Sequence, residues 1–161
     1  MGYLVADASA LVTLAGADAL GLLRLSPHQV CTVPEVREET VEAGLARGFS
    51  DAHAIARFFA AGRLEVIAPR RREKMDGISF ADSLLLSLAE QISADDLLVN
   101  DRRVLRKAEQ RGLPARLTAE FVQDLYQQRR ISRARRDRLF GSFVDRQRYT
   151  DDFIRALLLG E

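Results

Sequence analysis

The chain is poor in the side chains from which most nucleophilic sites and zinc sites are built. It contains two histidines, His28 and His53, one cysteine, Cys31, and no tryptophan. Neither histidine lies near a strong nucleophile motif, so a Ser-His-Asp or Cys-His arrangement is poorly supported. Zinc is equally disfavoured, because zinc sites need clustered cysteine and histidine. Any catalytic chemistry in this chain therefore falls to carboxylates.

Other absences narrow the class of protein. No apolar run approaches the roughly 20 residues that cross a bilayer, and no basic leader followed by a long apolar stretch opens the sequence. A glycine-rich phosphate loop is also missing. Cys31 cannot form an internal disulfide and lies in an apolar run, so we expect a buried thiol. These features predict a cytoplasmic protein without membrane contact.

The apolar pattern alternates short strand-like runs with longer helical ones. Gly44 is expected to stop the helix that begins at Pro34, and Ser50 to cap the next helix. Alternation of this kind predicts a parallel sheet with helices on both faces. We therefore expect an α/β protein, a three-layer α/β/α sandwich with a central parallel sheet of four to five strands. The predicted strands are 3–6, 30–33, 64–68, 97–100 and 113–117.

The chain divides into a sheet-bearing part and a basic helical part. Residues 1–117 hold the predicted sheet domain, and residues 118–161 a helical extension packed on the same domain. Residues 1–100 carry 9 basic and 14 acidic side chains, whereas residues 101–161 carry 15 basic and 9 acidic. An acidic centre beside a basic flank suits a polyanion held near a metal. A solvated, arginine-rich helix face explains the same pattern equally well.

Two aspartates follow predicted strands. Asp7 comes directly after the run 3–6, and Asp101 comes directly after the run 97–100. The carboxyl ends of parallel strands open onto a common crevice, so both acids are expected in one pocket. Each also fits the N-cap of the helix that follows, which is the simpler role for a single aspartate. An acidic pocket without histidine or cysteine ligands suits a hard cation such as Mg²⁺ or Mn²⁺.

A third aspartate lies at the start of a helix. Asp82 occupies the first turn of the most apolar helix in the chain, which should be central. From that position its carboxylate is expected to face the strand ends. Ser79 and Asp82 also match the spacing of a capping box, so a purely structural role is equally consistent with the local sequence.

The fourth candidate acid lies among other acidic residues. Four glutamates lie on the helix that begins at Pro34, and most of them must be surface charges. Glu39 shares a helix face with Val36 at i, i+3 spacing and is expected to point inward. The alternatives on the same helix are Glu38 and Glu42.

In their order along the chain, these four acids resemble the acidic quartet of the PIN-domain ribonucleases. The resemblance covers about residues 1–117, and the segments around Asp7 and Asp101 are its most specific parts. The segment around Glu39 is the weakest, because its neighbours are also acidic. The matching segments are 5–11, 33–44, 81–89 and 97–105.

The resemblance implies a Mg²⁺- or Mn²⁺-dependent endoribonuclease that cleaves RNA. Asp7, Glu39, Asp82 and Asp101 would be catalytic, and the three aspartates among them would hold the metal. Small members of the VapC type are toxins neutralised by a small antitoxin protein, and homodimers are frequent. The residues expected around the carboxylates or on the substrate are Ser9, Asn100, Arg102 and Arg103.

Two other functions remain open at this point. A catalytically silent PIN-like module that binds RNA or protein needs the same fold but no turnover. A metal-dependent phosphohydrolase or a receiver-like phosphoacceptor would instead use an aspartyl nucleophile at a strand end. A nuclease assay separates the first from a ribonuclease, and trapping with beryllofluoride separates the second.

Overall fold

A computed structural model describes residues 2–160; Met1 and Glu161, the last residue of the predicted extension, lie outside the described residues. Within that range five parallel strands form one sheet in the order β3-β2-β1-β4-β5. The central strand β1 pairs with β2 on one side and with β4 on the other. The strands are β1 (Tyr3–Ala6), β2 (Gln29–Thr32), β3 (Glu65–Val66), β4 (Asp96–Val99) and β5 (Arg116–Leu117).

Helices connect the strands and cover the sheet. From β1 the chain moves through β2 to β3 in one direction, then returns to place β4 on the other side of β1. Right-handed crossovers put connections that run in opposite directions on opposite faces of a parallel sheet. The predicted three-layer α/β/α architecture is thereby confirmed. The helices are α1 (Ala8–Gly16), α2 (Pro34–Arg37), α3 (Ala43–Ala46), α4 (Ser50–Ala60), α5 (Phe80–Gln91), α6 (Arg102–Gln110), α7 (Thr118–Gln127), α8 (Arg133–Asp145) and α9 (Asp151–Leu159).

The hydrophobic core lies on both faces of the two central strands. Leu4 and Val5 of β1 and Leu97 and Leu98 of β4 are all fully buried. Successive residues of a strand point to opposite faces, so burial of neighbours shows that helices cover both faces. Cys31 of β2 belongs to this core, and burial raises the pKa of its thiol to about 12. The buried thiol predicted from the sequence is confirmed.

The helical segment that starts with α2 does not stop at Gly44. It widens into a π-helical segment over Glu38–Glu42, and α3 then carries it on to Ala46. A Cβ at Gly44 would lie 2.8 Å from the Cβ of Ala52 on α4. Gly44 therefore lets two helices approach closely, and the left-handed conformation expected at a helix end is found at Gly48, with φ +74°.

The C-terminal helices share the core of the sheet. α7 contacts β4, β5 and α1, and α8 contacts α7. Phe121 of α7 and Phe143 of α8 are each 1% exposed. The division at residue 117 stays a prediction. Between residues 2 and 160, none of the helices combines the length and apolar character that a bilayer crossing requires.

Candidate functional site

Asp7 lies at the carboxyl end of the central strand and is 2% exposed. Its N–H donates to the carbonyl of Leu98 over 3.1 Å, which extends the pairing of β1 with β4 up to the site. Its Oδ1 accepts a hydrogen bond of 2.7 Å from the N–H of Ala10, and the Ser9 hydroxyl lies 2.9 Å from both carboxylate oxygens. Asp7 is therefore the N-cap of α1 and a buried acid at the same time.

The environment of Asp7 disfavours its charged form. Burial raises the pKa of Asp7 to about 7, although the hydrogen bonds from Ala10 and Ser9 act to lower it. The negative charge of Asp82 raises the pKa further. A buried carboxyl that titrates near neutrality beside a second acid is typical of functional sites, because structure has to hold the two together against repulsion.

Asp82 lies in the first turn of α5, which packs against β1. Its N–H donates to the Ser79 hydroxyl over 3.1 Å, so Ser79 supplies the N-cap of this helix. Burial raises the pKa of Asp82, hydrogen bonding to Ser79 lowers it, and the charge of Asp101 raises it again. Asp82 therefore interacts electrostatically with Asp7 and Asp101, the aspartates that follow the two central strands.

Asp101 follows β4 and caps α6. Its Oδ1 accepts a hydrogen bond of 2.8 Å from the N–H of Arg103, and the Arg103 guanidinium lies 3.2 Å from its Oδ2. Partial burial raises the pKa of Asp101, but the hydrogen bonds and charge of Arg103 outweigh this effect and hold the pKa below its usual range. The Arg103 side chain thus neutralises Asp101, the most exposed of the three aspartates.

Glu39 lies on the π-helical segment, and its side chain is exposed rather than turned inward. The widened turn over Glu38–Glu42 changes the helical spacing on which the inward orientation was predicted. Glu39 nevertheless borders a cavity of about 480 Å³ that Ser9 also lines. We call it the Glu39 cavity; Ser9 connects it to Asp7 through the hydroxyl that bonds the carboxylate.

The donor set of this site fits a hard divalent cation in its chemistry. Asp7 and Asp82 offer carboxylate oxygens that repel each other, and a cation between them would relieve that repulsion. Asp101 offers a third carboxylate, which Arg103 holds here. Among residues 2–160 no three Asp, Glu, His or Cys side chains lie close enough to one another to share a metal. The three aspartates interact by charge without forming a closed ligand shell.

The sequence model of one protein family, DUF3368, described as a PIN domain, matches residues 3–159. This chain is a PIN domain. The matched range includes the sheet and the C-terminal helices alike. PIN domains are typically nucleases and commonly bind Mg²⁺, which agrees with carboxylates at the ends of β1 and β4. No match was found among curated proteins.

A tyrosine that sequence reasoning missed is tied to the site of this PIN domain. The Tyr149 hydroxyl donates to Oδ1 of Asn100 and accepts a hydrogen bond of 3.2 Å from the N–H of Ala119. The Asn100 amide in turn donates to the Ser9 carbonyl over 3.3 Å and to the Thr13 hydroxyl. Asn100 is thus fixed between the end of β4 and helix α1, and the loop after α8 supplies one of its partners.

The basic flank of the PIN domain separates into buried and exposed arginines. Arg136 is 6% exposed, with its guanidinium carbon 4.1 Å from the ring centroid of Tyr126, and is therefore structural. Arg146 pairs with Asp51 at 3.0 Å where both line the Glu39 cavity. Arg148 lines that cavity and also a second one beside Asn100. Of these three arginines of the basic flank, only Arg146 and Arg148 therefore lie at the cavities beside the site.

Proposed function

We propose that this PIN domain is a metal-dependent endoribonuclease that uses Mg²⁺ or Mn²⁺. The observation that carries the proposal is Asp7, a buried carboxyl at the end of the central strand whose pKa is raised to about 7. A structural N-cap needs neither that degree of burial nor a second acid close by. A divalent cation bound there would polarise a phosphoryl oxygen and lower the pKa of a bound water.

Each residue of the site has a separate task in this proposal. Asp7 and Asp82 would hold the cation, and Asp101 would supply a third carboxylate. Ser9 keeps the Asp7 carboxylate in place with its hydroxyl, at 2.9 Å from both oxygens. Asn100 keeps α1 fixed against the end of β4.

Glu39 and the arginines act on water and on the substrate. Glu39, in the cavity that Ser9 lines, orients the attacking water. Arg102 and Arg103 hold the scissile strand. The Arg103 guanidinium also pairs with Asp101 at 3.2 Å, so it lies directly beside an acid of the site.

The first test is the exchange Asp7→Asn. Asparagine keeps the N-cap of α1 but carries no charge, so we expect a folded protein whose Mg²⁺-dependent cleavage of single-stranded RNA falls by about 100-fold or more. Asp18→Asn is the matched control, since Asp18 is exposed and lies past the far end of α1. Full activity of Asp7→Asn, in a preparation shown to be free of other nucleases, would overturn the catalytic assignment.

The second test concerns the metal. A ligand that binds only the folded state raises its thermal midpoint, so Mg²⁺ or Mn²⁺ should stabilise the wild type. We expect a smaller rise for Asp101→Asn, which has lost one donor, and a full rise for Asp18→Asn. Equal rises in all three proteins would exclude Asp101 as a metal ligand.

The proposal extends to a biological role as the toxin of a type II toxin–antitoxin pair. Its support is the resemblance of the four acidic segments to the VapC type, which also implies a small antitoxin and a homodimer as partners. Expression in bacteria is then expected to stop growth with the wild type and not with Asp7→Asn. Normal growth would contradict the toxin role alone, whereas RNA binding without any cleavage would favour the catalytically silent module.

A further inference from the structure

The second cavity lies where the edge of the sheet meets the C-terminal helices. It has a volume of about 660 Å³, within the roughly 300–1,000 Å³ of small-molecule sites. We call it the Asn100 cavity. Its lining includes Asn100, Arg102, Gln147, Arg148, Tyr149 and Phe153.

Three flat side-chain groups in the lining of this cavity pack against one another. The rings of Tyr149 and Phe153 are stacked, with centroids 5.2 Å apart and planes 19° from parallel. The guanidinium of Arg102 lies over the Phe153 ring, 5.2 Å from its centroid. Tyr149 is fixed by its bond to Asn100, and Arg102 is exposed. An exposed guanidinium is a platform of the type on which unpaired bases stack.

The charge of the Asn100 cavity differs from that of the Glu39 cavity. Among the described residues, those lining the Asn100 cavity include Arg102 and Arg148 and no acid. The Glu39 cavity also contains arginines, among them Arg146 and Arg148, but Glu39 and Asp51 offset part of their positive charge. A nucleotide carries a flat base and an anionic phosphate, so it matches the first lining and is repelled by part of the second.

We propose that the Asn100 cavity binds one nucleobase of a single-stranded RNA beside the phosphodiester to be cleaved. The base stacks on the Arg102 guanidinium, which Phe153 holds in place, and Arg148 meets the adjoining phosphate. Gln147 borders the cavity and offers its amide to the edge of the base. This inference rests on the proposed ribonuclease function, because it places the base next to the carboxylates.

Binding is measured in the Asp7→Asn background, which prevents turnover. The probes are a short fluorescein-labelled single-stranded RNA of mixed sequence and an abasic strand with the same number of phosphates, each followed by fluorescence anisotropy. Phe153→Leu and Arg102→Lys are each expected to weaken RNA binding about fivefold or more. Neither variant is expected to bind the abasic strand more weakly than the Asp7→Asn parent does. Arg102→Lys keeps its charge, so the salt dependence should stay the same.

The chain contains a matched control pair. Arg37 lies over the ring of Phe59, 5.6 Å from its centroid, on the helices after β2. Arg37→Lys and Phe59→Leu make the same chemical changes away from the Asn100 cavity and should leave RNA affinity unchanged. If Phe153→Leu fails to fold, as its thermal midpoint would show, Arg102→Lys decides alone, because Arg102 is exposed.

The outcomes separate this inference from the function on which it rests. RNA affinity equal to that of the parent in both variants, or an equal loss for RNA and abasic strand, would overturn the base site while wild-type cleavage still supported the ribonuclease. Base-dependent binding without cleavage by the wild type would overturn the ribonuclease and leave the base site standing. If the Asp7→Asn parent did not bind the RNA at all, the base site would also be overturned.

Discussion

The stability of this PIN domain should depend on pH through Asp7. Burial raises the pKa of Asp7 from an ordinary 3.8 to about 7, so the folded state holds this proton more tightly than the unfolded state. The stabilisation that this proton gives to the folded state is fully present below about pH 4 and is lost as the pH rises to about 7. One unit of pKa corresponds to about 1.4 kcal/mol, so the loss amounts to about 4 kcal/mol, of which about 3 kcal/mol falls between about pH 5 and about pH 8.

The exchange Asp7→Asn isolates this effect, because asparagine caps a helix as well as aspartate does and is neutral at every pH. We expect the variant to have the larger free energy of unfolding at about pH 8, and the two proteins to converge at about pH 4. Urea denaturation over a series of pH values, with a chelator present, measures both. Asp18→Asn controls for the loss of an exposed carboxylate. A difference between wild type and Asp7→Asn that stayed constant over the whole series would refute the reasoning.

Two further predictions concern packing around the site. Tyr149→Phe keeps the ring but removes the hydroxyl that donates to Oδ1 of Asn100, so we expect about 1–3 kcal/mol less stability by denaturation and slower RNA cleavage. Unchanged stability and rate would show that this contact is dispensable. Gly44→Ala is expected to cost about 1–3 kcal/mol, because its Cβ would meet that of Ala52 at 2.8 Å. The same exchange at Gly141, in α8 with open space around it, should be neutral or stabilising, and similar effects at both glycines would contradict the packing argument.

Elements with a strong local signal were predictable from the sequence. The strand β1 comes from a run of apolar residues and helix α5 from a leucine-rich segment, and the cap predicted at Ser79 is the one observed. Asp7 and Asp101 were predictable as strand-end acids for the same reason. Both are N-caps in the structure, so the structural role and the placement at the strand edge belong to the same side chains.

The remaining features depend on contacts between distant segments. Tyr149 reaches Asn100 across 49 positions, and nothing in the neighbouring sequence indicates such a pair. Gly44 looked like a helix stop because its partner on α4 was unknown. The N-cap of α4 is Phe49 and not Ser50. Phenylalanine has no side-chain acceptor for a helix N–H, so capping preferences alone favour the serine that follows it.

The outermost strands of the sheet, β3 and β5, are each only two residues long. A long outer strand would present a ladder of free amides and carbonyls on which another polypeptide could build an intermolecular β-sheet. In this sheet each outer strand offers only two residues for such pairing. Dimerisation and aggregation through an intermolecular β-sheet at these two edges are therefore disfavoured.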